Sequence, residues 1–120
     1  MQDFRNLKVW EKSHKVVLDI YGITRNFPKE ELYGLTSQIR RCAVSVPSNI
    51  AEGCCRGSEC DFKRFLQIAI CSASEIEYQL LLSKELDYLQ EEEYLQIDKK
   101  VKEVKKMLVA LIKKLSAFSH

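Results

Sequence analysis

The amino-acid sequence predicts an all-α chain folded as an up-down-up-down four-helix bundle. Three observations predict it. Four glycines and two prolines in 120 residues leave too little turn chemistry for a many-stranded sheet. Apolar residues recur at steps of three and four along nearly the whole chain. The breaks in that recurrence are short, and short connections set successive helices antiparallel. A chain of this length buries a core without staples, so residues 1–120 read as one domain.

The first helix is expected over about 6–26, ending before Pro28. Its core stripe is Val9, Ser13, Val16, Ile20 and Thr24, continued by Phe27. Beside it Trp10, His14 and Tyr21 form a second apolar and aromatic strip. A bundle helix needs one buried face, so the extra strip suggests contact with a second copy, or less simply a base-stacking platform.

The second helix is expected over 31–53, through "RRCAVSVPSNIAEG". Leu35, Ile39, Cys42, Ala43, Val46 and Ile50 keep helical spacing across Pro47, while Gln38, Arg41, Ser45, Asn49 and Glu52 share a polar flank. A loop has no reason to preserve both stripes. The proline ring removes one donor and crowds the preceding turn, which predicts a kink at Pro47 rather than an end. The Ala43 carbonyl so freed is left to water or a serine hydroxyl, and Gly53 is expected as the left-handed residue that closes the helix. The flank is read either as an inter-subunit hydrogen-bond network, with Arg41 on a carboxylate and Asn49 bridging near the kink, or as a ligand or RNA surface.

The third helix, 58–86, opens at "SECD", where Ser58 can accept from the Asp61 amide while Asp61 answers back. Phe62, Phe65 or Leu66, Ala69, Ala73, Ile76 and Leu80 make its apolar stripe. The fourth, 91–118, carries the most regular seam: Tyr94, Ile97, Val101, Val104, Leu108, Leu111, Leu115 and Phe118. Lys99, Lys102, Lys106 and Lys113 lie on its other side.

The net charge of +2 conceals a division: residues 1–64 carry +3, residues 65–98 carry −7 and residues 99–120 carry +6. Such a division can steer a charged partner or hold neighbouring helices together. The lysine stripe, extended by Arg56, Lys63 and Arg64, is the candidate phosphate-binding surface.

Other chemistries find little support. No apolar run reaches the roughly 20 residues of a membrane span, and the N-terminus lacks the apolar core of a signal peptide. An odd count of five cysteines then suggests reduced thiols and a cytoplasmic protein. Cys54, Cys55 and Cys60 match no common zinc spacing, "GCCRGS" lacks the lysine ending of a phosphate loop, and no Glu-x-x-His pair exists for a diiron site. Only His14 and the terminal His120 could serve a Ser–His pair, while Glu75 and Glu77 face apart on a helix. No enzyme, metal or cofactor is expected.

"FRNLKVW", "FPKEELYGLTSQIRRCAVSVPSNIAEGCCRGS", "DFKRFLQIAICSASEIE" and the last helix together resemble the four-helix bundle proteins encoded within 23S rRNA intervening sequences, sometimes labelled ribosomal-protein-like. The most specific stretch is Gln38, Arg41, Ser45, Pro47, Asn49, Ile50, Ala51, Glu52 and Gly53. Cys42 and Cys71 stand where that family would place a small residue. The resemblance implies a bundle that assembles into a ring, typically a pentamer. It also implies kinship with the cationic accessory protein of diversity-generating retroelements, which works with a reverse transcriptase and nucleic acid. It brings no catalytic residues. The expectation is therefore a non-enzymatic homo-oligomer associated with RNA or a nucleoprotein. The alternatives are a scaffold for an acidic protein partner, and a small-molecule carrier using the ring channel.

Overall fold

The computed structural model describes the backbone of residues 2–118 and the side chains of residues 2–117. The expectations for the Phe118 side chain and for His120 fall outside the described residues. The helices are α1 (Lys8–Thr24), α2 (Leu35–Cys54), α3 (Glu59–Glu85) and α4 (Glu91–Phe118), with short 3-10 turns at Phe4–Asn6 and Lys29–Glu31. No strand occurs among the described residues. Each helix packs on its two neighbours, α1 on α2, α2 on α3, α3 on α4 and α4 on α1.

Side-chain pairs fix the directions. Lys12 pairs with Glu103 and Asp19 with Lys100, so α1 and α4 run antiparallel. Ser45 meets Ser72 while Cys42 meets Glu75, which sets α3 against α2. Lys84 reaches Glu91 and Lys63 reaches Ser116, which does the same for α3 and α4. The result is 49 Å long and about 20 Å thick.

The apolar stripes meet along the axis. Ile20, Ile39, Ile50, Leu66, Leu80 and Leu108 are completely enclosed, one or more from every helix. At roughly 25 cal/mol per Å² of apolar surface, this burial is what holds the helices together. Ser13 and Thr24 join the core because their hydroxyls bond within the helix, Ser13 Oγ to Trp10 O and Thr24 Oγ1 to Ile20 O.

Pro47 sits buried inside α2, which continues to Cys54. Three local expectations change. Gly53 takes no left-handed conformation; no glycine has positive φ, and Gly53 is helical and buried. A Cβ there would stand 2.8 Å from Phe62 Cδ1 and 3.1 Å from Phe65 Cβ, so glycine serves the close approach of α3. The left-handed residue is instead Asp87, φ 63°, in the turn between α3 and α4. Before α2, the 3-10 turn ends at Glu31 and residues 32–34 form a turn where helix was expected, because Glu31 folds back: its Oε1 accepts from the Leu35 amide at 3.1 Å and its Oε2 from the Tyr88 hydroxyl at 2.9 Å. At α3 Ser58 Oγ accepts from the Asp61 amide, but the Asp61 carboxylate turns to Arg64 rather than back to the cap.

Candidate nucleic-acid and interface surfaces

The lysines of α4 divide into two sets. Lys105 Nζ lies 2.6 Å from Glu77 Oε1, and Lys102 stands 3.9 Å from Glu77 Oε2 and bonds Asp98 one turn earlier. The Asp98 hydrogen bond raises the Lys102 ammonium above its ordinary pKa. Part of the acidic segment therefore clamps α4 to α3. Lys99, Lys106 and Lys113 are exposed, and among the described residues none forms an ion pair or hydrogen bond. They lie on the side of α4 opposite Val101, Val104 and Leu108.

Arg56, Lys63 and Arg64 gather at the end of the bundle where α2 passes to α3. Arg56 pairs with Glu52 at 3.0 Å and its guanidinium lies 4.8 Å from the centre of the Phe65 ring; Arg64 approaches the same ring at 4.7 Å and pairs with Asp61. Lys63 Nζ meets Ser116 Oγ at 3.4 Å. Ser116 is three residues beyond Lys113, so this cluster adjoins the Lys113 end of the α4 row, while Lys99 lies about 21 Å further along the helix. An aromatic ring between two arginines was not visible in the sequence, because Arg56 comes from the connection and Arg64 from α3. Only the i,i+1 pair Arg64–Phe65 offered a hint.

The polar flank of α2 splits as well. Ser45 and Asn49 turn into the α2–α3 seam, where Ser45 Oγ and Ser72 Oγ are 2.8 Å apart and the Asn49 amide donates to Ser45 O and Oγ at 2.7 and 2.9 Å. Further along, the Cys42 thiol donates to Glu75 and accepts from Gln79 Nε2. The Oε1 atom of that nearly enclosed Gln79 has no hydrogen-bond partner among the described residues. Gln38 and Arg41 instead face solvent without a side-chain partner among the described residues, and Glu52 is taken by Arg56.

Trp10 and His14 stack with ring centres 5.1 Å apart and planes 6° from parallel, and Phe4 packs on Trp10. Tyr21 is separate from them and carries Arg40, whose guanidinium lies 4.7 Å from its ring. Tyr21, Leu32, Tyr33, Arg40, Arg41 and Val44 line one groove between α1 and α2. Tyr33 is 94% exposed there. Leu32 and Tyr33 escape sequence reasoning because they belong to no periodic stripe.

All five cysteines are free. Burial pushes the Cys42 and Cys54 thiols above their ordinary pKa, which keeps them protonated and weakly nucleophilic near neutrality. Among the described residues no three His, Cys, Asp or Glu side chains converge to hold a metal, and no helix is long and apolar enough to cross a membrane.

Four antiparallel helices around a single core, with an exposed cationic row on the last, define an all-α helical-bundle protein. The family model of the 23S rRNA-intervening sequence protein matches residues 5–110, and the chain belongs to that family. Among solved structures it is similar to a protein of unknown function from the S23 ribosomal protein family of Bacteroides thetaiotaomicron VPI-5482, at 31% identity and a TM-score of 0.81. That likeness covers 88% of this chain and 95% of the other. No curated protein matches.

Proposed function

We propose that the protein is a non-enzymatic, cytoplasmic adaptor whose copies close into a ring, of the pentameric kind the resemblance implies, and hold RNA against the cationic face of α4. The observation that carries the RNA reading is the row Lys99, Lys106 and Lys113, exposed and unpaired while neighbouring lysines are consumed by carboxylates. Repeated around a ring, three such charges per copy, joined by Arg56, Lys63 and Arg64, make a surface that releases many counterions on meeting a phosphate backbone. The groove of Tyr21, Leu32, Tyr33, Arg40, Arg41 and Val44 supports self-association, since tyrosine and arginine are the residues enriched at interface centres. A bend of α2 at Pro47 belongs to the same reading, setting Gln38 and Arg41 against the next copy.

Filter retention of 23S rRNA fragments at rising salt tests the RNA reading. The expected result is a steep linear fall of log affinity with log salt, about 0.7 per phosphate neutralised on a single strand. No retention at low salt ends it. The native mass tests the ring independently.

A further inference from the structure

We propose that the groove along α4, between its lysines and α3, is a docking site for an acidic amphipathic helix of a partner protein. Its floor is aliphatic: Val109, 39% exposed, and the exposed Ala110. Its rim is cationic, formed by Lys102, Lys105, Lys106 and Lys113, with Glu77 the one acid among the described residues that line it. Lys102 and Lys105 already share Glu77, which leaves Lys106 and Lys113 without carboxylates.

The spacing suits a helix. Lys106 and Lys113 are seven residues apart, two turns and about 10.5 Å along one face of α4. Val109 stands between them, about one turn from each. A partner helix laid along the groove presents carboxylates at the same seven-residue interval, so both lysines are met at once. Its leucines, one turn apart between those carboxylates, cover Val109 and Ala110. The cavity of about 440 Å³ above that floor accommodates a few such side chains. Charge complementarity supplies register, and the aliphatic floor supplies affinity that depends on excluding water. RNA fits this particular groove less well: phosphates answer the lysines but cover no aliphatic surface, and the floor has no aromatic ring on which a base could stack. The proposal stands on the groove and is separate from the RNA reading, with which it shares Lys106 and Lys113. Helix and RNA would therefore exclude one another.

The test is fluorescence anisotropy of the full chain with two labelled helical peptides of equal negative charge. One carries leucines one turn apart flanked by glutamates seven residues apart; in the other the leucines are serines. An RNA oligonucleotide is titrated in parallel. The expected result is at least tenfold weaker binding of the serine peptide. Val109→Asp, checked for fold and native mass by circular dichroism and mass spectrometry, should weaken the leucine peptide tenfold or more and change RNA retention less than twofold. Ala110→Glu serves as a second floor variant. Lys106→Glu with Lys113→Glu should weaken both ligands. Equal binding of the two peptides, or no binding of either at low salt, overturns the proposal. If RNA binds and neither peptide does, the groove is lost and the RNA reading stands; peptide binding without RNA binding gives the reverse.

Discussion

At Gly53 a Cβ would press into the Phe62 ring at 2.8 Å and the Phe65 Cβ at 3.1 Å, whereas at Gly22 it would meet nothing within 4 Å. The two lie in helices of similar kind, so alanine at each separates packing from propensity. Gly53→Ala should cost about 1–3 kcal/mol because α3 must move away from α2. Gly22→Ala should gain about 0.5–1 kcal/mol by restricting the unfolded chain and raising helix propensity. Urea midpoints of the two variants check the signs. The sequence marked Gly53 as special for the wrong reason. A left-handed closing residue and a close helix crossing both ask for glycine, and nothing in the surrounding letters distinguishes them until Phe62 is placed against it.

Among the elements, the entry to α2 depends on one side chain. Glu31 accepts from the Leu35 amide and from the Tyr88 hydroxyl, joining the start of α2 to the turn before α4. Glu31→Ala should cost about 1–2 kcal/mol, read as a shift in thermal or urea midpoint, since both a helix cap and a cross-bundle bond are lost. These ties also give stability a pH window. The hydrogen bond that the Tyr88 hydroxyl donates to Glu31 raises that hydroxyl above 10.0, so its contribution is complete below that value and fades as pH climbs through the raised folded pKa. The Lys12 hydrogen bond lowers Glu103 below 4.5, so the α1–α4 tie contributes above that value and fades as pH falls through the lowered one. Tyr88→Phe should flatten the alkaline fall of the urea midpoint, and Lys12→Met the acid fall. The α2 core was legible because Ile39, Ala43, Val46 and Ile50 keep their period across Pro47, and all are buried. The Glu31 device was not, because its partner is 57 residues away. The same holds for the lysines: the spacing of 99, 102, 106 and 113 drew one stripe, and only the position of Asp98 and Glu77 divides it.

For the whole molecule, Arg41 and Tyr33 are informative because neither does anything visible for its own chain. Arg41 has no side-chain partner among the described residues and Tyr33 is almost fully exposed. Arg41→Ala and Tyr33→Ser should therefore lower the native mass while leaving the secondary structure of the dilute chain unchanged. Unchanged mass in both would remove the α1–α2 groove from the ring contact.

The two ends of the bundle are also unequal. Lys12, near the start of α1, already pairs with Glu103, so the last turns of α4 run past the start of α1, where Leu115 lines an open groove with Gln2, Gly53, Cys54 and Phe62. Leu111, Ile112 and Leu115 are accordingly half-covered, while Ile97, Val101, Val104 and Leu108 are enclosed. Thermal opening then has a direction. Deuterium should enter the final turns of α4 long before it reaches the amides around Val104, and whatever grips the molecule at that end would slow the exchange most where it is fastest in the isolated chain.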